Sequence, residues 1–351
     1  LSRLYSPEKY GDYAIFVSVI SVITVLCSLK FELAIILPKR ERDALSIVNI
    51  SLFILILLTI IITAVVLVFR KDFNGLLKIE KEKMFLLFIP VSFLLIGLFQ
   101  IGNYWQTRTK DFSNISKSLF MRSSGLLIVQ TVLGFMGAGS FGLILGKIFG
   151  DFIGTIVITS KSIRKWAKGI IKTKPISLLY NFNKYSDFPK FSAPQSLLNA
   201  ISQNLPVLML TTFFGVTVAG LYSMAIRVVL LPLDFISQSV KQVYFEKASR
   251  IYNDGGNVYN LFIKSTLGLA AIGILPMAIF FVFGPLIFSL LLGKEWESAG
   301  IFARILSFWL FFLFVNPPTT ALLFILKKQK HFFIYDICLL FARTTVLLLG
   351  G

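Results

Sequence analysis

The sequence contains few of the residues that most often bind metals or cross-link small folds. Histidine occurs once and cysteine twice among the 351 residues. Cys27 and Cys338 each lie in an apolar stretch, and two isolated thiols match neither a disulfide framework nor a zinc-ligand spacing. His331 stands beside a lysine cluster, which favours an interfacial residue over a catalytic one. We therefore expect no metal site and no cofactor.

Motifs of catalytic chemistry are also missing from the sequence. It contains no glycine-rich phosphate loop, and no nucleophile stands beside a base. The short segments between the apolar runs leave no room for a separate catalytic domain. The sequence thus favours a protein that is not an enzyme.

Acidic residues are scarce relative to basic ones, with 17 Asp and Glu against 35 Lys and Arg, for a formal net charge of +18. In a soluble protein this balance would suggest nucleic acid as a partner. However, 56% of the residues are hydrophobic, phenylalanine alone occurs 36 times, and the mean hydropathy is +0.80. This composition indicates a polytopic membrane protein whose basic residues lie in loops, and nucleic acid is not expected.

Apolar stretches long enough to cross a bilayer predict ten spans. A tight turn within the interval from Phe213-Phe214-Gly215 to Gly220 divides the longest uncharged stretch between two of them. The chain begins without methionine and ends within an apolar run, so we expect helices to precede and follow it. The predicted spans are Gly11–Leu37, Ala44–Phe69, Met84–Thr107, Ser123–Gly146, Ser140–Ser160, Phe191 to the turn, the turn to Val243, Ser265–Gly293, Ile305–Leu326 and His331 to the end.

Loop charge predicts the orientation of these spans. One alternate set of loops contains most of the basic residues, and the positive-inside rule makes that set cytoplasmic. The loop from Arg70 to Lys83 is the basic exception on the opposite side. The basic clusters of the cytoplasmic set are Lys39–Arg42, Arg108–Arg122, Lys161–Lys190, Lys241–Lys264 and Lys327–Lys330.

The widest polar interval predicts a division of the chain into two lobes. Residues 1–160 would form an N-terminal lobe with helices two to six of a presumed twelve, and residues 190–351 a C-terminal lobe with helices seven to eleven. Residues 161–189 would be a basic cytoplasmic linker, either an amphipathic helix on the membrane surface or a solvated connection. The Gly-x-Tyr that opens one span at Gly11 recurs at Gly220, which is typical of two six-helix lobes in parallel orientation.

Charged residues inside the predicted spans are the candidate functional residues, because a charge in hydrocarbon normally faces a partner or a wet cavity. Five of the eight are basic, which predicts a cavity that attracts an anion. They are Lys30, Glu32, Lys147, Asp151, Arg227, Asp234, Arg304 and Arg343.

Spacing separates the possible roles of these residues. Lys147 and Asp151 stand one helical turn apart and can form an ion pair, which is either a structural lock or a cavity-lining couple. Lys30 and Glu32 are two residues apart and do not face each other on a continuous helix. Arg227 falls near the middle of its span, where it would contact phosphate or pair with Asp234 on the same face.

Regular glycines on the sixth predicted span indicate close helix packing. Gly142, Gly146, Gly150 and Gly154 recur every four residues and form one flat stripe, against which a second backbone can lie.

Five segments of the sequence carry a family likeness. They are RLYSPEKYG at residues 3–11, KFELAIILP at 30–38, DFPKFS at 187–192, LLNAISQNLP at 197–206 and GLYSMAIRV at 220–228. Together they resemble the bacterial polysaccharide-biosynthesis flippases of the O-antigen type, and the likeness covers the whole chain. These flippases belong to the multidrug, oligosaccharidyl-lipid and polysaccharide exporter superfamily.

The resemblance implies a MATE-like, all-α membrane protein in the bacterial cytoplasmic membrane. Its function would be to move an undecaprenyl-pyrophosphate-linked oligosaccharide to the outer leaflet through an alternately opening cationic cavity. The implied partners are this lipid-linked oligosaccharide, membrane lipids and other polysaccharide assembly proteins. Lys30 stands where the family commonly has arginine, so its charge is kept and the bidentate fork is lost.

We assign Arg227, Lys30, Lys147 and Arg304 to the cationic cavity. Glu32, Asp151 and Asp234 are assigned to a coupling ion or to ion pairs. Two alternatives stay open: an antiporter of the same superfamily that expels cationic drugs, which would need more acid in its cavity, and a membrane glycan polymerase or ligase.

Overall fold

The described part of the computed structural model consists of helices and short connections. It covers residues 1–76, 86–172, 175–326 and 329–350, and no strand occurs within those ranges. The predicted all-α class is therefore confirmed. The predicted loop around Lys78, Lys81 and Lys83 lies outside the described residues, as do Lys327 and Lys328.

The helices group into two compact units. Unit 1 comprises Leu1, Arg3–Tyr5 and Asp12–Thr212, and unit 2 comprises Ser2, Ser6–Gly11 and Phe213–Gly351. From the N-terminus the first helices are α1 (Pro7–Ile23), α2 (Phe31–Ala34), α3 (Glu41–Leu76), α4 (Phe88–Arg108), α5 (Phe112–Phe135), α6 (Gly139–Ser160), α7 (Ile163–Lys172), α8 (Pro175–Lys184) and α9 (Ala193–Phe214). Unit 2 then contains α10 (Val216–Asn253), α11 (Tyr259–Leu292), α12 (Glu297–Val315), α13 (Pro317–Ile325) and α14 (Gln329–Gly350).

Eight helical segments in the described ranges are long and apolar enough to cross a membrane. The predicted spans at α10 and α14 form helices that are not among these eight, and the most apolar part of α10 is the shorter segment Val216–Leu231. The eight are Pro7–Leu26, Glu41–Val68, Phe88–Arg108, Phe112–Phe135, Gly139–Ser160, Phe188–Phe214, Tyr259–Leu292 and Lys294–Val315.

The predicted break between α9 and α10 is confirmed at Gly215. Its φ of +89° is a conformation that side chains with a Cβ rarely adopt, which explains why glycine ends the helix here. The predicted span Ile305–Leu326 is wrong in its boundaries. The helix begins earlier, at Glu297, and ends at Val315, because Pro317 and Pro318 cannot continue the hydrogen bonds of the preceding turn.

The core of unit 1 lies where α2, α3, α4 and α7 meet. The basic segment from Ile163 to Lys172 is helical, and its Trp166 is buried against Trp105 of α4, with the two rings edge to face at 6.3 Å. Trp166 thus packs within the protein instead of facing a lipid leaflet. The side chains of Ile170 and Ile171 lie outside the described residues, and the division into lobes at 161–189 stays a prediction.

Candidate functional site

The first span is interrupted where the sequence predicts a continuous helix from Gly11 to Leu37. α1 ends at Ile23, a single 3-10 turn follows at Thr24–Leu26, and α2 begins only at Phe31. Between them, Leu29 and Lys30 adopt positive φ angles of 48° and 65°. Such angles are unfavourable for residues with a Cβ, so surrounding contacts must hold the segment in place.

The interruption brings together two charges that a continuous helix would keep apart. Lys30 Nζ lies 3.9 Å from a carboxylate oxygen of Glu32, and the Ser28 hydroxyl donates to the other oxygen. The prediction that Lys30 and Glu32 do not face each other is wrong, because it assumed regular helical geometry. The Glu32 side chain is 1% exposed and that of Lys30 is 18% exposed. The acid is therefore buried, and the base has access to the surface of unit 1.

Helix α4 holds both ends of this segment. At one end, Cys27 Sγ donates to Gln100 Oε1 at 3.3 Å. At the other end, the Arg108 guanidinium donates to four neighbouring main-chain carbonyls at distances between 2.5 and 3.4 Å. The acceptors are Ile35, Ile36, Pro38 and Lys39. The sequence placed Arg108 in a cytoplasmic loop. Its contacts with main-chain carbonyls could not be predicted, because any residue type supplies such an acceptor.

A second charged cluster joins α5 to α6. The predicted ion pair within α6 is present, with Lys147 Nζ 3.1 Å from Asp151 Oδ2. Arg122 of α5 completes the cluster, because its Nε donates to Asp151 Oδ1 at 2.7 Å and its Nη2 forms an ion pair with the same oxygen at 2.6 Å. The Arg122 guanidinium also lies 4.7 Å from the centre of the Phe99 ring. The two cations outnumber the one acid.

Arg122 is a functional candidate that the sequence analysis missed. The predicted span Ser123–Gly146 left it in a cytoplasmic loop, whereas α5 begins eleven residues further back and ends at Phe135. Asp111 caps this earlier start, since its side chain accepts a hydrogen bond from the Asn114 backbone. Asp111, a residue type that favours the N-cap position, was the available signal for this earlier helix start.

The glycine stripe explains how Arg122 reaches Asp151. A Cβ at Gly150 would lie 2.6 Å from the main-chain oxygen of Arg122, and one at Gly154 would lie 2.9 Å from the Arg122 Cβ. The two backbones therefore approach as closely as the sequence predicted. The absence of side chains at Gly150 and Gly154 leaves room for the guanidinium beside the carboxylate.

Arg227 is an exposed residue of the apolar part of α10. Its Nη1 donates to the Tyr10 hydroxyl at 2.7 Å. Tyr10 packs edge to face on Trp296 at 5.6 Å, and the Trp296 indole donates to the Ser2 carbonyl at 2.8 Å. These contacts orient Arg227 within unit 2. The side chain of Asp234 lies outside the described residues, so its predicted pairing with Arg227 stays a prediction.

The two remaining arginines of the spans lie elsewhere in unit 2. Arg304 is exposed on α12, and its Nη2 donates to the Val282 carbonyl of α11 at 3.2 Å. The guanidinium of Arg343 lies 5.5 Å from the centre of the Trp309 ring. Lys30 and the Arg122 cluster belong to unit 1, whereas Arg227 and Arg304 belong to unit 2. In the described part of the chain, no group of three or more His, Cys, Asp or Glu residues could hold a metal ion.

Comparison with known proteins adds three findings. Residues 1–301 match a protein family described as "Polysaccharide biosynthesis protein". The capsular polysaccharide biosynthesis protein CapF of Staphylococcus aureus is 25% identical over 325 residues, which cover 89% of this chain and 76% of CapF. An inward-facing structure of a multidrug resistance MATE family transporter of the MOP superfamily superimposes with a TM-score of 0.69 at 16% identity, over 95% of this chain and 80% of that one. The predicted MATE-like fold is confirmed.

Proposed function

The chain belongs to the polysaccharide biosynthesis protein family, and we propose that it moves a lipid-linked oligosaccharide across the membrane by alternating access. The proposed cargo is an oligosaccharide on undecaprenyl pyrophosphate, carried to the outer leaflet of the bacterial cytoplasmic membrane for capsule or O-antigen synthesis. Family membership, the likeness to CapF and the fold of a transporter support a transport function over a catalytic one.

One observation carries the choice of an anionic cargo: in the two charged clusters of unit 1, the acid is buried and a basic partner is more exposed. Glu32 and Asp151 are each 1% exposed, whereas Lys30 and Arg122 are 18% and 26% exposed. Arg227 is exposed as well. The side chains of these clusters that a ligand can reach are therefore cationic, which suits a pyrophosphate and disfavours a cation.

The chemistry of the head group fits these side chains. Transfer of a pyrophosphate from water into a membrane protein is costly unless fixed cations replace its hydration. Arg227 offers a planar fork for two parallel hydrogen bonds to phosphate oxygens, and its contact with Tyr10 limits the orientations that it can adopt. Lys30 contributes a point charge. In this proposal the cargo contacts Arg227 and Lys30, with Lys147 and Arg122 as a further cationic pair.

The buried acids could couple movement of the cargo to binding of a proton or another cation. We assign Glu32 and Asp151 to this role, together with Asp234, whose side chain is not described. Glu32 contacts both Ser28 and Lys30, so protonation of its carboxylate would weaken its hold on Lys30 and leave that ammonium available to the cargo. Binding of a proton and binding of the cargo would then depend on each other.

The fold also supports a second candidate, an antiporter for cationic drugs, since the structural relative is a multidrug transporter. Such an antiporter needs an acid that the drug can reach. Because Glu32 and Asp151 are buried and covered by Ser28, Lys30, Arg122 and Lys147, these two clusters favour the anionic cargo.

The test uses the complete gene in its native host with the chromosomal copy deleted. Complementation with Arg227→Gln should reduce surface polysaccharide at least about tenfold, as loss of a charge-assisted hydrogen bond predicts. The lipid-linked glycan should accumulate on the cytoplasmic leaflet while the amount of inserted protein stays unchanged. Arg250→Gln, which removes an exposed charge near the end of α10, is the matched control and should export normally. Undiminished export by Arg227→Gln would contradict the proposal. The antiporter would be favoured if the wild-type gene made the deletion strain more tolerant to cationic dyes.

A further inference from the structure

A pocket on the surface of unit 2 contains two opposite charges that do not pair with each other. It lies between α11 and α12, and Arg304 and Glu297 both line it. Neither residue forms an ion pair with any described residue. The remaining lining residues are Val282, Phe283, Pro285, Leu286 and Ser289.

Helix geometry places the two charges on one side of α12. Glu297 is the first residue of the helix and Arg304 follows seven residues later, which is about two turns and about 10 Å along the axis. Side chains in a helix lean toward its N-terminus, so the long Arg304 side chain extends back toward the level of Glu297. The guanidinium and the carboxylate therefore line the same pocket at different heights along α12.

A glycine contact builds the pocket between the helices. A Cβ at Gly300 would lie 2.5 Å from the main-chain oxygen of Gly284, so α11 and α12 touch through their backbones there. Gly284 adjoins the lining residues Phe283 and Pro285, and Gly300 lies between Glu297 and Arg304 in sequence. The pocket is thus a fixed feature of the pair.

The surface around the pocket is apolar. Val282, Phe283 and Leu286 of α11 are exposed large hydrophobic residues. On α12, the exposed residues Ile301, Ile305 and Phe308 continue the same kind of surface. Exposed apolar residues on a pair of helices long and apolar enough to span a membrane suit hydrocarbon chains better than water. A ligand of the pocket would therefore combine a charged group with apolar chains.

We propose that Arg304 and Glu297 bind the head group of a zwitterionic, primary-amine phospholipid of the phosphatidylethanolamine type. Arg304 holds the phosphate, Glu297 accepts hydrogen bonds from the ammonium, and the acyl chains lie along the exposed residues of α11 and α12. An anionic lipid would satisfy Arg304 and place its charge beside Glu297. A trimethylated amine would match the charges but has no N–H to donate. Arg304 was assigned to the cationic cavity from the sequence, but the proposed transport function does not use it, so this site does not depend on that function.

The test measures lipid retention by the purified full-length chain, using native mass spectrometry with phosphatidylethanolamine, phosphatidylcholine and phosphatidylglycerol. Wild-type protein should retain the ethanolamine lipid best. Arg304→Gln should weaken its retention at least about tenfold, because a charge-assisted contact to phosphate is lost. Glu297→Gln should reverse the preference in favour of phosphatidylglycerol, a gain that a misfolded protein would not display.

Arg250→Gln removes the same charge outside the pocket and should leave the order of lipids unchanged. Equal retention of all three lipids by wild type, or an unchanged preference in Glu297→Gln, would overturn the proposal. Displacement of the ethanolamine lipid by undecaprenyl pyrophosphate in wild type and not in Arg304→Gln would also overturn it, because the pocket would then belong to the cargo.

Discussion

Arg122 contacts one oxygen of Asp151 twice, through a hydrogen bond from Nε at 2.7 Å and an ion-pair contact of Nη2 at 2.6 Å. The residues belong to neighbouring helices, and Lys147 contacts the second oxygen. Between helices in a bilayer, apolar burial contributes little to association, so close packing and polar contacts must hold the pair together. This cluster is therefore a main connection between α5 and α6.

Arg122→Ala should destabilise the protein by about 3 kcal/mol, the low end for removal of one partner of a buried ion pair. Asp151 would keep Lys147 and lose its hydrogen bond and ion pair with α5. Thermal unfolding in detergent measures the change. Lys117→Ala, an exposed charge on the same helix, is the control and should shift stability by less than about 0.5 kcal/mol. Equal effects of the two substitutions would contradict the importance of the cluster.

Gly150→Ala should push α5 and α6 apart, because the added methyl group has no room between them. The added methyl would meet the Arg122 main-chain oxygen at 2.6 Å, and overpacking of this kind costs about 1–3 kcal/mol. Gly268→Ala in α11 is the matched control, because a Cβ there meets no atom within 4 Å. Alanine favours a helix over glycine, so the control should be neutral or slightly stabilising. A neutral Gly150→Ala would show that α5 can shift without loss.

These residues show how far the sequence determines the site. The spacing of Lys147 and Asp151 predicts their ion pair, and the four-residue glycine period predicts the close approach of another helix, because both depend only on helical geometry. Arg122 was missed because α5 extends beyond its apolar run, so hydropathy placed the helix boundary too late. Helix ends depend on capping and tertiary contacts as well as on hydrophobicity.

The interruption at Leu29 and Lys30 was missed for a different reason. The segment from Ser28 to Leu37 contains neither glycine nor proline, the residues that usually signal a break. The contacts from Gln100 and Arg108 on α4 hold this conformation, and no local pattern records contacts that distant in sequence. Gly215, by contrast, was predicted because the residue itself permits the required φ.

Arg108→Ala should loosen the segment that carries Lys30. Loss of the guanidinium removes the donor to the carbonyls of Ile35, Ile36, Pro38 and Lys39, which should favour local opening. Cys27 is fully buried and reports this opening, since its thiol reacts only when exposed. In a Cys338→Ala background, maleimide labelling of Cys27 should accelerate at least about tenfold, as a loss of about 1.4 kcal/mol in local stability predicts. Lys117→Ala is the control, and an unchanged labelling rate in Arg108→Ala would contradict the assigned role.

Lys30→Gly and Lys30→Ala separate the backbone strain at this position from its charge. Both substitutions remove the ammonium and its 3.9 Å contact with Glu32, and both should abolish polysaccharide export in the complementation assay. Only alanine keeps a Cβ at a φ of 65°. Glycine adopts this angle without a steric penalty, so the glycine variant should be more stable than the alanine variant by about 1 kcal/mol in thermal unfolding.

The comparison between the two variants is informative because their lost side-chain contacts are the same. Lys30→Arg keeps the charge and should retain export, with a Cβ strain equal to that of the wild type. If alanine and glycine gave equal stability, the left-handed conformation would not be enforced by the surrounding contacts. If either uncharged variant exported normally, the positive charge at Lys30 would have no part in transport. The left-handed backbone at this position would then matter only for the conformation of the segment.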